Sequence, residues 1–184
     1  MKAGLGRRRS SMKNVVLIGF MGTGKSRVGH MVARKLGFRF ADTDDLIVQR
    51  LQMPIPEIFA RLGEPRFREI ERQVVADVAS RSGHVIATGG GVPLSDENVR
   101  NLKENGIVVC LTATPEIVYR RTLRNDARPL LRTSDKLEQI RSLLESRQLY
   151  YAVADYQVDT STRPASAVAR KIVELYRADG SSQG

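Results

Sequence analysis

The sequence predicts one α/β domain in which five short strands form a parallel sheet between two layers of helices. Its 184 residues correspond to about one domain. Hydrophobic residues make up 41% and charged residues 27% of the chain, which excludes disordered, fibrous and disulfide-scaffold classes. Short β-branched runs alternate with longer stretches of helical periodicity, a pattern typical of βαβ units and of a three-layer α/β/α fold.

Five short apolar runs are the candidate strands, because the strands of a parallel sheet are buried on both faces. These runs cover residues 14–18, 38–41, 85–87, 106–111 and 156–158. Right-handed crossovers bring the carboxyl ends of such strands to one edge of the sheet, where open α/β folds bind their ligands. The segments that directly follow each strand are therefore the first places to search for functional residues.

The stretches between the strands carry helical periodicity and capping residues. The first helix is predicted over residues 25–36, with apolar side chains at helical spacing and Gly37 ending it. Ser95 is a typical N-cap residue, and Pro115 suits the first position of a helix. Further helices are predicted to begin near Asp45 and to cover residues 64–79, 137–150 and 164–176.

Half of the net charge of +10 lies in the first 13 residues, which hold five basic side chains and no acidic one. We interpret residues 1–12 as a basic, disordered tail rather than a nucleic-acid-binding arm, since solvated charge runs are common. No hydrophobic segment follows these charges, so the tail does not resemble a secretory signal. Residues 13–178 are predicted to form the domain, and residues 179–184 a flexible C-terminal tail.

The apolar stretches and the cysteine content favour a cytoplasmic protein without a membrane partner. The longest apolar stretch, residues 15–21, is far shorter than the roughly 20 residues that a membrane span requires. The single cysteine, Cys110, cannot form an internal disulfide. It lies in an apolar run, and we expect it to be a small buried hydrophobic residue rather than a nucleophile.

A phosphate-binding loop follows the first predicted strand. The segment GFMGTGKS, residues 19–26, matches the pattern G-x-x-x-x-G-K-[ST] at every fixed position. Glycines let the backbone approach phosphates closely, and the loop amides attract anions together with the N-terminus of the following helix. In such loops the lysine, here Lys25, reaches the β- and γ-phosphates, and the hydroxyl, here that of Ser26, binds Mg²⁺. The flanking strand and helix favour a nucleoside triphosphate site over an accidental glycine-rich turn.

Two aspartates follow the second predicted strand. Asp42 and Asp44 are two positions apart, so an extended chain directs both side chains toward the ligand edge. One carboxylate could hold the water shell of Mg²⁺, while the other accepts a proton from an attacking hydroxyl. Asp44 also occupies the position where a helix beginning near Asp45 needs an N-cap, so plain helix capping stays open as an alternative.

Three consecutive glycines, residues 89–91, follow the third predicted strand and Thr88. We call them the triple glycine. Such a run offers a backbone surface that another molecule can approach closely, and a mere turn needs fewer glycines. No acidic residue stands at the end of this strand, where many proteins with phosphate-binding loops carry a metal-binding aspartate. This absence increases the weight on Asp42 as the metal-binding residue.

Five motifs in this order resemble the shikimate kinase family. They are GFMGTGKS at 19–26, Asp42-Thr43-Asp44, Phe67-Arg68-Glu69, the triple glycine, and Arg128-Pro129-Leu130-Leu131. The likeness extends from about residue 13 to about residue 176. It implies a P-loop kinase fold with strand order 2-3-1-4-5, substrate-binding helices and a mobile lid. It also implies Mg²⁺-dependent transfer of the ATP γ-phosphoryl group to the 3-hydroxyl of shikimate, a step in chorismate and aromatic amino-acid biosynthesis.

The resemblance implies roles on the acceptor side. Asp44 would contact the shikimate hydroxyls as the base, and Asp42 would lie near Mg²⁺ through water. The shikimate carboxylate would be bound by Arg68, Arg147 and the backbone at Gly89, Gly90 and Gly91. Forked guanidinium groups suit a planar carboxylate, so this assignment is also sound on physical grounds.

Two aromatic residues and one departure from the family pattern complete the acceptor side. The resemblance implies that Phe59 and Phe67 lie against the apolar face of the substrate ring. Simple core packing is an equal alternative for Phe59, since aromatic residues at helical spacing usually serve cores. Family members often have a proline two residues after the arginine that Arg147 matches, and this chain has Leu149 there. The local geometry after Arg147 is therefore open.

The resemblance also implies a nucleotide side. Arg128 would belong to the mobile lid, about residues 122–134, and would reach the transferring phosphate to stabilise its charge. Arg121 would flank the adenine, and Arg163 would lie in the adenine-side loop. The implied ATP-binding residues are Gly22, Thr23, Gly24, Lys25, Ser26, Arg27, Arg121, Arg128 and Arg163.

Two other functions stay open as alternatives. The first is a kinase for another small molecule, such as gluconate or a nucleoside monophosphate. The second is a nucleotide-dependent switch or RNA-associated module, which is disfavoured because the chain lacks an Asn-Lys-x-Asp motif and a basic strand with interleaved aromatic residues. We expect a monomer whose partners are ATP and shikimate, with no nucleic-acid partner.

Overall fold

The computed structural model describes residues 12–123 and 135–181. In chain order, these residues form β1 (Asn14–Ile18), α1 (Lys25–Leu36), β2 (Arg39–Asp42), α2 (Thr43–Leu51), α3 (Ile55–Ala79), β3 (His84–Ala87), a 3₁₀ turn (Val92–Leu94), α4 (Asp96–Glu104), β4 (Gly106–Thr112), α5 (Pro115–Thr122), α6 (Lys136–Tyr151), β5 (Tyr156–Asp159) and α7 (Ala165–Ser181). Each strand starts and ends within one residue of its predicted bounds. The predicted tail 1–12 and lid 122–134 lie almost entirely outside the described residues.

The five strands form one parallel sheet in the order β2-β3-β1-β4-β5, as the resemblance implies. The central strand β1 pairs with β3 on one side and β4 on the other, so that Val16 faces Ile86 and Val108 in the ladder. All paired strands are parallel. Their carboxyl ends therefore share one edge, which carries the loop after β1, the aspartates after β2 and the triple glycine after β3.

Alternate residues of β1 supply the cores on the two faces of the sheet. Val15 and Leu17 pack with buried side chains of α1 and α7. Val16 and Ile18 pack on the opposite face with buried side chains of α3, α4, α5 and α6. A third, smaller core lies between α2 and α3. The predicted three-layer α/β/α architecture is thus confirmed, with an extra helical unit beside the ligand edge.

The N-cap of α2 corrects the prediction. The cap residue is Asp42, whose backbone is still extended (φ −113°, ψ 125°) and whose carboxylate accepts a hydrogen bond from the Asp44 amide at 3.1 Å. Helix α2 begins at Thr43, two residues earlier than expected. Asp44 therefore lies inside the first turn, and its carboxylate does not have to cap the helix.

Helix α3 is longer than predicted and contains a break. It begins at Ile55 instead of residue 64, and Gly63 interrupts it with φ 76° and ψ 166°. Pro54 is the N-cap residue of this helix and Pro56 lies in its first turn, a part of a helix that tolerates proline. The predicted helix 64–79 corresponds to the part that follows the break.

Helix α7 continues to Ser181, three residues past the predicted end of the domain at 178. Asp179 on this helix forms an ion pair with Lys13, which precedes β1, with an N–O distance of 3.1 Å. No helix in the described part of the chain is both long and apolar enough to cross a membrane. Cys110 in β4 is fully buried, and burial raises the pKa of its thiol to about 11, which fits an inert core residue.

Candidate active site

The loop between β1 and α1 has the geometry of a phosphate cradle. Gly22 and Gly24 adopt positive φ values of 75° and 93°, which residues with side chains adopt only under strain. The Lys25 ammonium donates hydrogen bonds to the carbonyls of Gly19 (2.7 Å) and Phe20 (2.9 Å). The loop leads directly into the N-terminus of α1, and the N-terminus of a helix attracts anions.

Two oxygen-bearing side chains, those of Ser26 and Asp42, lie beside this loop. The Ser26 hydroxyl donates a hydrogen bond to the second carboxylate oxygen of Asp42 at 2.7 Å, so the loop and the end of β2 are in direct contact. Mg²⁺ binds hard oxygen ligands and usually keeps waters and substrate phosphates in its shell, so a hydroxyl and one carboxylate suit it. The described residues contain no group of three or more His, Cys, Asp or Glu side chains that could hold a metal by themselves.

The triple glycine is in close contact with charged side chains. A Cβ added at Gly89 would overlap a carboxylate oxygen of Asp44, and one added at Gly91 would overlap the guanidinium of Arg68. Asp44 comes from α2 and Arg68 from α3. A side chain at either of these positions would displace the Asp44 carboxylate or the Arg68 guanidinium from its present place beside the glycine backbone.

Arg147 reaches the same backbone surface from α6. Its guanidinium donates a hydrogen bond to the Gly90 carbonyl at 3.3 Å and lies 5.6 Å from the centroid of the Phe20 ring. Helix α6 stays regular through Tyr151, so Leu149 in place of the family proline does not turn Arg147 away. Arg68 and Arg147 therefore both contact the triple glycine, as Asp44 does.

Arg68 is held by two carboxylates of its own helix. Its guanidinium lies 3.0 and 3.1 Å from the oxygens of Glu71 and forms an ion pair with Glu64 at 3.1 Å. Glu71 is 2% exposed, whereas Glu64 lies at the surface. Burial raises the pKa of Glu71, and the facing Arg68 guanidinium opposes that rise. The pair keeps a cation at the rim of the site with a buried anion behind it.

Arg121 links the phosphate cradle to the end of β5. Its guanidinium donates hydrogen bonds to the Gly22 carbonyl (3.2 Å) and to the Thr160 hydroxyl (3.0 Å) and carbonyl (2.6 Å). Thr160 is buried and donates in turn to the Thr112 carbonyl at the end of β4. A cation is thereby fixed beside the loop on the side away from the triple glycine.

The chain is similar to known proteins over most of its length. A family model described as shikimate kinase matches residues 21–177. A shikimate kinase of Thermodesulfovibrio yellowstonii is 46% identical over 165 residues, which cover 90% of this chain and 95% of that protein. A solved structure, shikimate kinase from Acinetobacter baumannii in complex with shikimate, is 38% identical with a TM-score of 0.86, covering 91% of this chain and 94% of that one. The chain belongs to the shikimate kinase family.

Family membership confirms the resemblance and the P-loop kinase fold predicted from the sequence motifs. As a shikimate kinase family member, the chain is an ATP-dependent kinase, an enzyme that transfers a phosphoryl group. A gluconokinase from Sinorhizobium meliloti also matches, with a TM-score of 0.59 at 16% identity. That likeness shows the fold alone and does not favour the alternative of a gluconate kinase.

The two phenylalanines expected in this shikimate kinase site lie in the core between α2 and α3. The ring centroids of Phe59 and Phe67 are 4.5 Å apart, and Phe67 is 4% exposed. Arg68 lies over the Phe67 ring, with its guanidinium carbon 5.3 Å from the centroid. Both rings pack in the core, and Phe67 also supports Arg68. Contact with a substrate ring stays a prediction.

Three other arginines are expected on the nucleotide side: Arg27, Arg128 and Arg163. Arg27 is exposed on the first turn of α1, and its part in ATP binding stays a prediction. Arg163 is exposed in the connection between β5 and α7, three residues after Thr160. Arg128 lies outside the described residues, and its role stays a prediction.

Sequence reasoning missed three residues of the site. Glu71 lies three positions after Arg68 on the apolar stripe of α3, and a carboxylate on a buried stripe is a signal that it has a charged partner. Thr43, between the two aspartates, is fully buried and accepts a hydrogen bond from the Gly89 amide at 2.8 Å. Thr160 binds Arg121. Neither threonine left a pattern in the sequence, because both partners are distant along the chain.

Proposed function

We propose that this shikimate kinase family member transfers the γ-phosphoryl group of ATP to the 3-hydroxyl of shikimate, giving shikimate 3-phosphate and ADP. The observation that carries the proposal is the convergence of Asp44, Arg68 and Arg147 on the triple glycine, next to a phosphate cradle. Shikimate is a carboxylate with ring hydroxyls, so it needs cations at one end and a proton acceptor at the other. The product would enter chorismate and aromatic amino-acid biosynthesis.

The acceptor side binds the substrate by its carboxylate. Arg68 and Arg147 approach the triple glycine from different helices, and two forked guanidiniums can hold a planar carboxylate in one orientation. The backbone of Gly89, Gly90 and Gly91 then allows the ring to come close. Anchoring the far end of a small ring fixes where its reacting hydroxyl lies, which turns binding energy into orientation.

The nucleotide side binds ATP through backbone and cations. The amides of residues 22–27 and the N-terminus of α1 surround the phosphates, and the Lys25 ammonium exchanges its loop carbonyls for phosphate oxygens. Arg121 is fixed by Gly22 and Thr160 beside the cradle, where it can flank the adenine. We assign Arg163 to the adenine-side loop and Arg128 to the transferring phosphate.

Ser26 and Asp42 would hold Mg²⁺, Ser26 directly and Asp42 through water. Their oxygens are 2.7 Å apart and lie between the loop and the aspartate pair. When bound, Mg²⁺ would supply positive charge that stabilises the negative charge developing on the phosphate oxygens. The hydrogen bond between the two residues keeps both oxygens at one place before a ligand arrives.

Asp44 acts as the base. The shikimate hydroxyl oxygen forms a bond to the γ-phosphorus while the bond between that phosphorus and the β-bridging oxygen breaks, and ADP leaves with the bonding electrons. The hydroxyl proton passes to the Asp44 carboxylate. Because the transition state is loose and anionic, positioning and the charges of Lys25 and Arg128 supply most of the acceleration.

A coupled ADP-release assay with shikimate, gluconate and a nucleoside monophosphate as separate acceptors tests the proposed function. We expect Mg²⁺-dependent ADP release with shikimate and none above the ATPase background with the other two. Turnover with gluconate or a nucleotide but not with shikimate would contradict the assignment. The cytoplasmic location, the monomeric state and the lack of a nucleic-acid partner stay predictions.

A further inference from the structure

Thr43 joins the ends of β2 and β3 through its side chain. The ladder between these strands ends with the pair Asp42 and Ala87. Two residues beyond Ala87, the Gly89 amide donates a hydrogen bond to the Thr43 hydroxyl oxygen at 2.8 Å. Thr43 is completely buried. The Thr43 hydroxyl thus accepts a hydrogen bond from the Gly89 amide. If β2 were longer, one of its backbone carbonyls would accept this hydrogen bond instead.

Both residues that form this hydrogen bond, Thr43 and Gly89, lie next to Asp44, the proposed base. Asp44 follows Thr43 directly, and its carboxylate lies where a Gly89 side chain would begin. Asp42, on the other side of Thr43, is bound to Ser26 of the phosphate cradle. The three residues 42–44 are therefore tied to the nucleotide side through Asp42 and to the acceptor side through Thr43.

We propose that Thr43 is a positioning residue that sets the distance between the Asp44 carboxylate and the triple glycine, through the hydrogen bond from the Gly89 amide to its hydroxyl. The inference rests on the proposed function, since it concerns how the base meets the acceptor. A buried N–H that loses its acceptor carries a desolvation penalty, which a shift of its segment toward another partner would relieve. Residues 42–44 and 89–91 would then separate, while the contact between Ser26 and Asp42 persists.

The test compares Thr43→Val, which replaces the hydroxyl with a methyl of similar size, with Thr43→Ser, which keeps the hydroxyl. We expect Thr43→Val to lower kcat about 10-fold or more and to raise the shikimate KM, because small misplacements of reacting groups cost up to about 100-fold. The ATP KM stays within about 2-fold, since the phosphate cradle does not use this hydroxyl. Thr43→Ser recovers kcat to within about 3-fold of the wild type.

Ile172→Val is the matched control. Ile172 is fully buried on α7, on the opposite face of the sheet, and loses one methylene. This variant is expected to lower the melting temperature with unchanged kcat and both KM values. If Thr43→Val also lowers only the melting temperature, or if Thr43→Ser is as slow as Thr43→Val, the positioning role is wrong. Should Thr43→Val fail to fold, Thr43→Ala against Thr43→Ser gives the same comparison.

Wild-type protein in the same assay separates this inference from the proposed function. If the wild type turns over another acceptor instead of shikimate, the shikimate assignment fails, and the Thr43 variants are then compared with that acceptor. A loss of kcat in Thr43→Val, with recovery in Thr43→Ser, would still support the positioning role. Equal kcat for wild type and Thr43→Val would overturn it whichever acceptor is used.

Discussion

Arg68 combines a buried counterion, Glu71, with a partly exposed guanidinium group. Glu71 lies behind its guanidinium, and Gly91 lies so close in front that an added Cβ would overlap it. The buried carboxylate restricts the arginine to one orientation, which lowers the entropy lost when a second carboxylate binds. An arginine that is oriented in advance in this way is suited to anchor the carboxylate of a small acid.

Replacing Arg68 with alanine is expected to raise the shikimate KM and to lower kcat. A hydrogen bond to a charged group contributes about 1.5–3 kcal/mol, so kcat/KM for shikimate should fall roughly 10- to 100-fold while the ATP KM is unchanged. Steady-state kinetics with each substrate varied in turn measure this. Arg66→Ala is the matched control. Arg66 is exposed, and within the described part of the chain its ion pair is with the surface residue Glu69. An unchanged shikimate KM in Arg68→Ala would remove this residue from the site.

Glu71 should make the stability of the fold depend on pH. Burial raises its pKa in the folded protein above the ordinary value of 4.5, so between these two pKa values the folded state holds a proton that the unfolded state has released. The free energy of unfolding therefore falls as pH rises through this window. Glu71→Gln removes this contribution.

Urea unfolding of wild type and Glu71→Gln between about pH 4 and about pH 8 checks this sign. We expect the wild type to lose stability relative to the variant as pH rises. A stability difference that stays constant over this range, or one that changes in the opposite direction, would contradict the raised pKa.

The break in α3 is the element that directs Arg68 toward the site. Gly63 divides the helix into residues 55–62 and residues 64–79, and the second part carries Phe67, Arg68 and Glu71. Its φ of 76° with ψ of 166° belongs to a region that is essentially restricted to glycine. The direction of the second part therefore depends on one residue without a side chain.

Gly63→Ala is expected to lower the free energy of unfolding by about 1–3 kcal/mol through backbone strain. Urea denaturation measures the change. Gly180→Ala is the matched control, since Gly180 lies near the end of α7 with no atom close to an added Cβ and no positive φ. Its stability should be unchanged or slightly higher. If both variants have the same stability as the wild type, the break in α3 is not held by glycine conformation.

The strands could be predicted from the sequence, but the starts of α2 and α3 could not, because the residues around these starts fit more than one local structure. Buried parallel strands are continuous apolar runs, and the sequence shows them directly. Helix α2 could be capped by Asp42 or Asp44, and the choice depends on where the backbone leaves the extended conformation. The first part of α3 is preceded by Pro54 and contains Pro56, which signal a turn as readily as a first helical turn.

For the whole molecule, the parallel sheet brings the motifs together. Once β1, β2 and β3 are adjacent and parallel, the segments after them must meet at one edge, so the cradle, the aspartates and the triple glycine could be predicted as one site. Arg147 reaches this edge from α6, and only the resemblance placed it there. The contacts of Glu71, Thr43 and Thr160 depend on side-chain packing between distant segments, which composition and spacing do not reveal.

The most direct test of the account is Asp44→Asn, measured for turnover and for binding of Mg²⁺-ATP. The amide keeps the shape of the carboxylate beside Gly89 but cannot accept the hydroxyl proton. We predict that turnover falls about 100-fold or more, as for loss of a general base, while ATP affinity measured by calorimetry stays nearly that of the wild type. Asp45→Asn, at an exposed neighbouring position, should be fully active. Near-normal turnover in Asp44→Asn would show that the base between the two anion sites has been wrongly assigned.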